Sequence, residues 1–156
     1  ARLVGVEVDV AGGRPGGSAS GGGPDGAASR VVGILDTGAS HSILNWPAAK
    51  LLLGLREDDE DARAALGAMS AYDVGGRPMD MPLVPATLEL RGAAGGSRAQ
   101  GRVGFREVEV AVGNIALFGK LLNGDTSAPA ALIGQDILTQ RPTLFAARQR
   151  LICFGS

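Results

Sequence analysis

The chain of 156 residues has few of the side chains on which several kinds of site depend. Its only cysteine is Cys153, which excludes an intrachain disulfide and a cysteine-based metal centre. Its only histidine is His41, which excludes a histidine-rich metal site. We therefore expect neither a metal ion nor an organic cofactor.

An excess of one charge and a long apolar run are also missing. The sequence has 15 basic and 16 acidic residues, a formal net charge of -1, so charge favours neither nucleic acid nor an anionic membrane as a partner. No apolar run approaches the roughly 18 residues that a membrane-spanning helix needs, and the first residues lack the apolar segment of a signal peptide. We expect a soluble protein in a compartment that the sequence does not determine. The single cysteine leads us to favour a reducing one, the cytoplasm or an organelle interior.

Glycine, in contrast, is abundant and clustered. There are 25 glycines, concentrated in the segments 11–29 and 91–104, where apolar side chains are scarce. Hydrophobic residues make up 45% of the chain, which is enough for a core. We expect a single domain over residues 1–156 in which these two segments are loop insertions.

The remaining pattern is mostly that of β-strands, with alternating or short continuous apolar runs. The predicted strands are Leu3–Val10, Arg30–Leu35, Met81–Leu90, Phe105–Val112, a hairpin continuation at Ile115–Phe118, and Arg150–Phe154. The predicted helices are Trp46–Leu55, Asp58–Gly67 and Gln135–Gln140. Strands dominate, so the expected fold class is mostly β.

The most distinctive segment is Ile34–Ser40, which reads Ile-Leu-Asp-Thr-Gly-Ala-Ser. Two large apolar residues lead into Asp36, as expected of a buried strand that ends at a carboxylate. Gly38 permits close approach of the backbone in the following turn, and the Thr37 hydroxyl can hold a neighbouring backbone group. For the tripeptide alone, a strand end followed by an Asx-type turn is the simpler explanation.

A second segment, Ala131–Leu138, has an apolar run, then Gly134, then a short helical pattern. Together with Ile34–Leu44 and the closing strands in Thr143–Phe154, it resembles the retropepsin-like aspartic proteases, the single-lobe relatives of pepsin. The order and spacing of the segments match this family over most of the chain, apart from the two Gly-rich insertions. The resemblance implies a retropepsin-like lobe, a partly closed β-barrel with a flap hairpin and one short C-terminal helix.

The resemblance also implies a function, that of an aspartic endopeptidase. In this family each lobe supplies one catalytic aspartate, so catalysis requires a homodimer that places two copies of Asp36 together. The implied catalytic residues are Asp36, Thr37 and Gly38. Thr37 would link the two loops, and Gly38 would line the cleft floor. Ala39, the small residue usual in the next position, is implied to bind the substrate. The expected partners are a second copy of the chain and an extended peptide or protein substrate.

Members of the family also close a β-hairpin, the flap, over the substrate. The segment that best fits is Ser70–Met81, in which two adjacent glycines suit a tight turn. The implied substrate-binding residues there are Tyr72, Val74, Gly75 and Gly76. An ordinary surface hairpin is the alternative.

Other notable residues are given structural roles. Asp125-Thr126-Ser127 is the nearest echo of the Asp-Thr-Gly segment, but it lacks the glycine and the preceding apolar pair, so we do not expect a second catalytic loop. We expect His41 to be structural or exposed, Asp136 to be a local cap or ion-pair partner, and Trp46 and Cys153 to be buried.

Two alternatives to a homodimeric protease stay open at this point. One is a non-catalytic module of the same fold that dimerises or binds peptides, because fold does not imply function. The other is one lobe of a larger two-lobe protease. The intact Asp-Thr-Gly favours catalysis, since a pure scaffold does not need that carboxylate.

Overall fold

A computed structural model of the chain describes residues 5–12, 31–64, 66–72, 76–92, 101–146 and 151–155. Strands predominate in this part of the chain, which confirms the prediction of a mostly β protein. The strands are β1 (Gly5–Gly12), β2 (Val31–Leu35), β3 (Ile43–Leu44), β4 (Gly67–Tyr72), β5 (Pro78–Gly92), β6 (Arg102–Val112), β7 (Ala130–Ile133), β8 (Thr143–Ala146) and β9 (Leu151–Phe154). The helices are α1 (Trp46–Leu53), α2 (Glu60–Ala64), α3 (Ala116–Leu121) and α4 (Gln135–Leu138).

Seven of the strands form one sheet that curls on itself. Their order is β1-β2-β7-β3-β6-β5-β4, and β1 also pairs with β5. The extra pairing runs from Val6 opposite Gly92 to Gly12 opposite Ala86, while the first half of β1 pairs with β2. Six strands therefore close a ring and β4 lies outside it, at the edge next to β5. This is the partly closed barrel that the sequence predicted.

The core fills the inside of this barrel. Along β5 the buried side chains alternate with exposed ones, as expected of a strand with one face on the core. The fully buried positions include aliphatic side chains from β1, β5, β6 and β7, and the helix α1 closes one side through two alanines that are completely buried. The largest of these buried apolar residues are Leu44, Met81, Leu88, Leu132, Ile133, Ile137, Val8, Val110 and Val112.

Asn45 joins helix α1 to the start of β7. Its side-chain oxygen accepts hydrogen bonds from the Ala48 N–H, as a helix N-cap does, and from the Ala130 N–H, both at 2.9 Å. Its amide nitrogen donates to the Ala128 carbonyl at 2.7 Å. The side chain is 1% exposed, so water does not replace these bonds if they are lost.

We therefore expect Asn45→Ala to lower the free energy of unfolding by about 2 kcal/mol or more, because it removes a cap and leaves buried polar groups unpaired. Urea denaturation of the variant measures this loss. The matched control is Asn114→Ala, which removes an exposed asparagine that accepts one 3.3 Å bond from the Trp46 N–H. Equal losses for the two variants would contradict the role assigned to Asn45.

One sequence prediction is wrong in element type. Ile115–Phe118 was expected to be a strand that continues a hairpin, but the segment begins α3, with Ile115 as its N-cap. The apolar side chains of this helix recur every three to four residues and pack against Ala130 and Leu132 of β7. This tertiary contact outweighs the turn signal of Gly113-Asn114.

Several boundaries also differ from the predictions. β1 runs through Gly12 and β5 through Gly92, so both strands continue into the segments expected to be loops, since a backbone ladder needs no bulky side chains. Helix α2 is shorter than the predicted Asp58–Gly67, because Gly67 already begins β4. The predicted C-terminal helix is present as the four residues of α4, but the longest helix is α1, with eight. Residues 13–29 and 93–100 of the two Gly-rich segments lie outside the described residues, as do Leu3, Val4, Arg30 and Arg150.

The final hairpin, β8 with β9, forms a separate two-stranded sheet. Cys153 lies on β9 and is exposed, so the expectation of a buried cysteine is wrong. Leu144, the residue opposite Cys153 on β8, is also exposed, at 65%. Trp46 is buried and His41 is exposed, as expected. Among the described residues, no helix has the length and apolar character needed to cross a membrane.

Candidate active site

Asp36 lies at the carboxyl end of β2, a strand that is hydrogen-bonded on both sides. β2 is antiparallel to β1 and parallel to β7, with Leu35 opposite Ile133. The Asp36 N–H donates to the Ile133 carbonyl at 2.9 Å, which extends the ladder by one residue. The carboxylate therefore leaves the sheet at a fixed point, and its side chain is half-buried.

The turn after Asp36 orients one oxygen of its carboxylate. The Gly38 N–H donates to Asp36 Oδ1 at 2.8 Å, and the Ala39 N–H donates to the Asp36 carbonyl at 3.2 Å. A Cβ atom at position 38 would lie 3.2 Å from Oδ1, so any residue other than glycine would crowd the carboxylate. Within the described part of the chain, Oδ2 has no hydrogen-bond partner and is free for a water or a substrate.

Thr37 lies at the exposed tip of this turn. Its carbonyl accepts a 2.8 Å hydrogen bond from the side-chain amide of Gln135, a residue 98 positions along the chain. Its hydroxyl makes no hydrogen bond to any described residue, and the residue is exposed. The hydroxyl is thus available to a group outside this chain.

The start of α4 packs directly against the same loop. A Cβ atom on Gly134 would lie 2.7 Å from the carbonyl carbon and oxygen of His41 and 2.9 Å from the Ala39 carbonyl oxygen. Only glycine permits this approach. The next two backbone N–H groups donate to the Ala39 and Ser40 carbonyls, at 2.8 and 3.2 Å. The start of α4 therefore holds residues 39–41 in place by close packing and backbone hydrogen bonds.

Ser42 and Asp136 add side-chain hydrogen bonds to these contacts. The Ser42 N–H and hydroxyl donate to the two Asp136 carboxylate oxygens at 2.8 and 2.7 Å, and Asp136 also accepts from the Ile137 N–H. The Ser42 hydroxyl accepts from the Gly134 N–H at 2.9 Å. Asp136 was expected to be a local cap or ion-pair partner, but α4 has no side-chain cap hydrogen bond, and the main partner of its carboxylate is Ser42, 94 residues earlier in the chain.

Sequence reasoning missed Ser42 and Gln135. Ser42 is completely buried, and its only sequence signal is a serine just before the apolar pair that forms β3. Gln135 carries no sequence signal, because its partner lies 98 residues earlier in the chain.

The predicted flap residues lie elsewhere, on the hairpin formed by β4 and β5. The hairpin itself is present, with Met69 opposite Met81 and Tyr72 opposite Pro78. Tyr72 is 76% exposed, and Gly76 is exposed with a φ of 74° that suits a turn glycine. Val74 and Gly75, the other two residues predicted to bind substrate, lie outside the described residues.

The structure thus gathers the four loop residues in one turn, and no described hydrogen bond joins Tyr72 or Gly76 to them. The side chains and backbone of Asp36, Thr37, Gly38 and Ala39 share one turn that is fastened to α4. Tyr72 and Gly76 lie at the far end of the edge strand and its turn. Among the described residues, no three or more histidine, cysteine, aspartate or glutamate side chains are grouped so that they could hold a metal ion.

Asp125, in the nearest echo of the Asp-Thr-Gly segment, has a different setting. It follows helix α3 rather than a buried strand, and it is exposed. Its Oδ1 accepts hydrogen bonds from the hydroxyl and the N–H of Ser127, at 2.6 and 3.0 Å. The Ser127 hydroxyl, with a smaller contribution from its N–H, holds the pKa of the Asp125 carboxyl below its usual value. This arrangement is a capped surface turn, in keeping with the expectation that it is not a second catalytic loop.

Comparison with known proteins adds a structural likeness. No protein-family model matches the sequence, and no curated protein matches it. Among solved structures, the chain is similar to the crystal structure of a retropepsin-like aspartic protease from Rickettsia conorii. The alignment covers 92% of this chain and 87% of that chain, with 17% sequence identity and a TM-score of 0.39. A likeness of this size assigns a role to no residue, so the roles below depend on the contacts already described.

Proposed function

We propose that this chain is an aspartic endopeptidase that acts as a homodimer and hydrolyses peptide bonds in an extended substrate. The observation that carries the proposal is the setting of Asp36. This carboxylate stands at the end of a strand that is paired on both sides, one oxygen is held by the Gly38 N–H, and the other has no partner in the described part of the chain. A fixed carboxylate with a free oxygen is suited to general acid–base chemistry.

A second copy of the chain is needed because the sequence has one Asp-Thr-Gly segment. The Asp125 turn does not supply another, since its oxygen is occupied by Ser127. A two-fold axis brings the same surface of two chains together, so it places two copies of Asp36 side by side. The exposed Thr37 hydroxyl, unpartnered among the described residues, is proposed to bond to the backbone of the loop in the second copy.

Two carboxylates in close contact share one proton, because both cannot easily carry a charge. The ionised one takes a proton from a water molecule, whose oxygen attacks the carbonyl carbon of the peptide bond. The protonated one donates its proton to the carbonyl oxygen. The tetrahedral intermediate then breaks its C–N bond as the proton gained from the water passes to the leaving nitrogen, while the other carboxylate takes a proton back from a hydroxyl group of the intermediate. The products are a carboxylic acid and an amine, and the pair is left with one proton.

The substrate is proposed to lie between this loop and the hairpin of β4 and β5. An extended peptide forms strand-like hydrogen bonds with such elements. Tyr72 and Gly76, with Val74 and Gly75 between them, are proposed to close over it, and Ala39 to line the floor beside Asp36. By analogy with the retropepsin-like enzymes, apolar side chains are expected on both sides of the cleaved bond.

An unbiased peptide library incubated with the protein across pH 3–8 tests the function. We expect cleavage at internal bonds, with a bell-shaped pH dependence and an optimum below neutral pH, because the pair must hold one proton and loses its two protons in separate steps. The specific rate is also expected to fall on dilution as dimers dissociate.

Absence of cleavage at every pH would contradict the proposal, and the mass in solution would then separate the alternatives. A dimer without cleavage would indicate a binding or dimerisation module. A monomer without cleavage would indicate one lobe of a larger enzyme.

A further inference from the structure

The peptide group between Thr37 and Gly38 is hydrogen-bonded at both of its polar ends. Its carbonyl oxygen accepts from Gln135 Nε2 at 2.8 Å. Its N–H, on the opposite side of the same rigid plane, donates to Asp36 Oδ1 at 2.8 Å. The side chain of Gln135 is thus connected to the Asp36 carboxylate through a single peptide unit.

Such a chain of hydrogen bonds has two physical effects. A donor on the carbonyl oxygen polarises the amide, which makes its N–H a stronger donor to the carboxylate. The same donor also opposes rotation of the peptide plane, because a flipped plane would lose both bonds. The Gly38 N–H is the only described group that hydrogen-bonds to Asp36 Oδ1, so its orientation decides how the carboxylate is held.

The backbone of Gln135 is held by hydrogen bonds at both its N–H and its carbonyl. Its backbone N–H donates to the Ala39 carbonyl at 2.8 Å, and its carbonyl accepts from the Thr139 N–H at 2.9 Å. The Thr139 hydroxyl donates to the same carbonyl at 2.6 Å. The backbone is therefore fixed on both sides of the residue, and only the side chain reaches from α4 to the loop.

The geometry points to Gln135 as a positioning residue that orients the Asp36 carboxylate through the Thr37–Gly38 peptide. This inference depends on the proposed function for its catalytic meaning. Gln135 touches no reacting atom, so it is not a catalytic residue. Its side chain is also not what holds α4 against the loop, because the bonds from Gln135 N to the Ala39 carbonyl and from Asp136 N to the Ser40 carbonyl involve only backbone.

The test removes the donor in one variant and restores a donor, together with a positive charge, in another. Gln135→Met removes the donor, Gln135→Lys keeps one, and Gln140→Met is the matched control. Gln140 also donates from Nε2 to a backbone carbonyl, that of Asp136, at 3.0 Å, but it does not contact the Asp36 loop. For Gln135→Met we expect a kcat lower by about 3- to 10-fold with KM nearly unchanged, the loss expected for one hydrogen bond.

Three further readouts separate positioning from general stability. In Gln135→Met the acid limb of the pH–rate profile is expected to move to higher pH, because a weaker N–H donor favours the ionised carboxylate less. Gln135→Met and Gln140→Met leave the number of charges unchanged, and the titratable side chains on the segments that pack here, His41 in the loop and Asp136 on α4, are kept in every variant. We expect Gln135→Lys to recover most of kcat, and Gln140→Met to behave as the unaltered chain.

The chemical shift of the Gly38 amide proton, followed by NMR through a pH titration, makes the test independent of turnover. We expect this proton to move upfield in Gln135→Met and to stay in place in Gln140→Met. An unchanged Gly38 amide, or an unchanged kcat, would overturn the positioning role, as would a kcat loss that Lys does not rescue and that follows thermal stability. If the unaltered chain cleaves nothing, the proposed function fails, and the amide shift alone decides whether Gln135 orients the Asp36 loop.

Discussion

Replacement of Asp36 by asparagine is expected to lower kcat/KM for peptide cleavage by at least about 10²-fold, the range that loss of general acid–base catalysis gives. Asparagine has the same shape and still accepts the Gly38 N–H at its side-chain oxygen. It cannot take up and release the proton that the paired carboxylates share. The measurement is the rate of cleavage of a peptide from the library at the pH optimum, with circular dichroism to show that the fold is kept.

Asp125→Asn is the matched control for that experiment. It makes the same chemical change in the only other Asp-Thr sequence of the chain, at an exposed turn. We expect its kcat/KM to equal that of the unaltered chain. Cleavage that survives Asp36→Asn would show that a different mechanism is responsible, and equal losses in both variants would remove the special role of Asp36.

Replacement of Gly134 by alanine is expected to have the largest effect on stability. The new methyl group would lie 2.7 Å from backbone atoms of His41 and 2.9 Å from the Ala39 carbonyl oxygen. Backbone atoms cannot rotate away as a side chain does, so either the loop or α4 must move. We expect the free energy of unfolding to fall by on the order of 2–3 kcal/mol and the melting temperature by about 5–10 °C. Because the displaced loop carries Asp36, cleavage should be lost with stability.

Two other glycines provide a graded control for this prediction. At Gly113 the methyl group would meet the Met81 side chain at 2.8 Å, and that flexible side chain can adjust. At Gly119, inside α3, it would meet nothing within 4 Å, so alanine is expected to stabilise the helix by about 0.5–1 kcal/mol. Thermal melting curves of the three alanine variants should therefore rank Gly134 lowest and Gly119 highest. A Gly134→Ala variant as stable as Gly119→Ala would contradict the close packing of α4 against residues 39–41.

The segments that carry the site could be predicted from the sequence because each is local. An apolar run that ends at Asp36 predicts a strand and a turn, and the structure has both, although the strand is not buried throughout, since Val32 is 61% exposed. The short helix after Gly134 was also predicted, but the strand β7 before it was not. The pairing of β2 with β7 could not be predicted from either run alone.

The contacts that hold the site together could not be predicted, because they join residues far apart in the chain. Gln135 and Thr37 are 98 residues apart, and Ser42 and Asp136 are 94 apart. Short polar side chains give no periodic pattern, so sequence reasoning had no signal for them. The helix α3 was missed for a related reason. Its apolar face is completed by Ala130 and Leu132, and the local turn residues indicated a hairpin instead.

The measurement that tests the central claim most directly mixes unaltered chains with Asp36→Asn chains. The two are unfolded together, refolded in known proportions, and assayed at the pH optimum. If each site needs Asp36 from two chains, activity follows the square of the unaltered fraction, so that an equal mixture keeps about one quarter of the full rate. An activity that falls in direct proportion to the unaltered fraction would show that each chain acts alone, and the account of a shared pair of aspartates would be wrong.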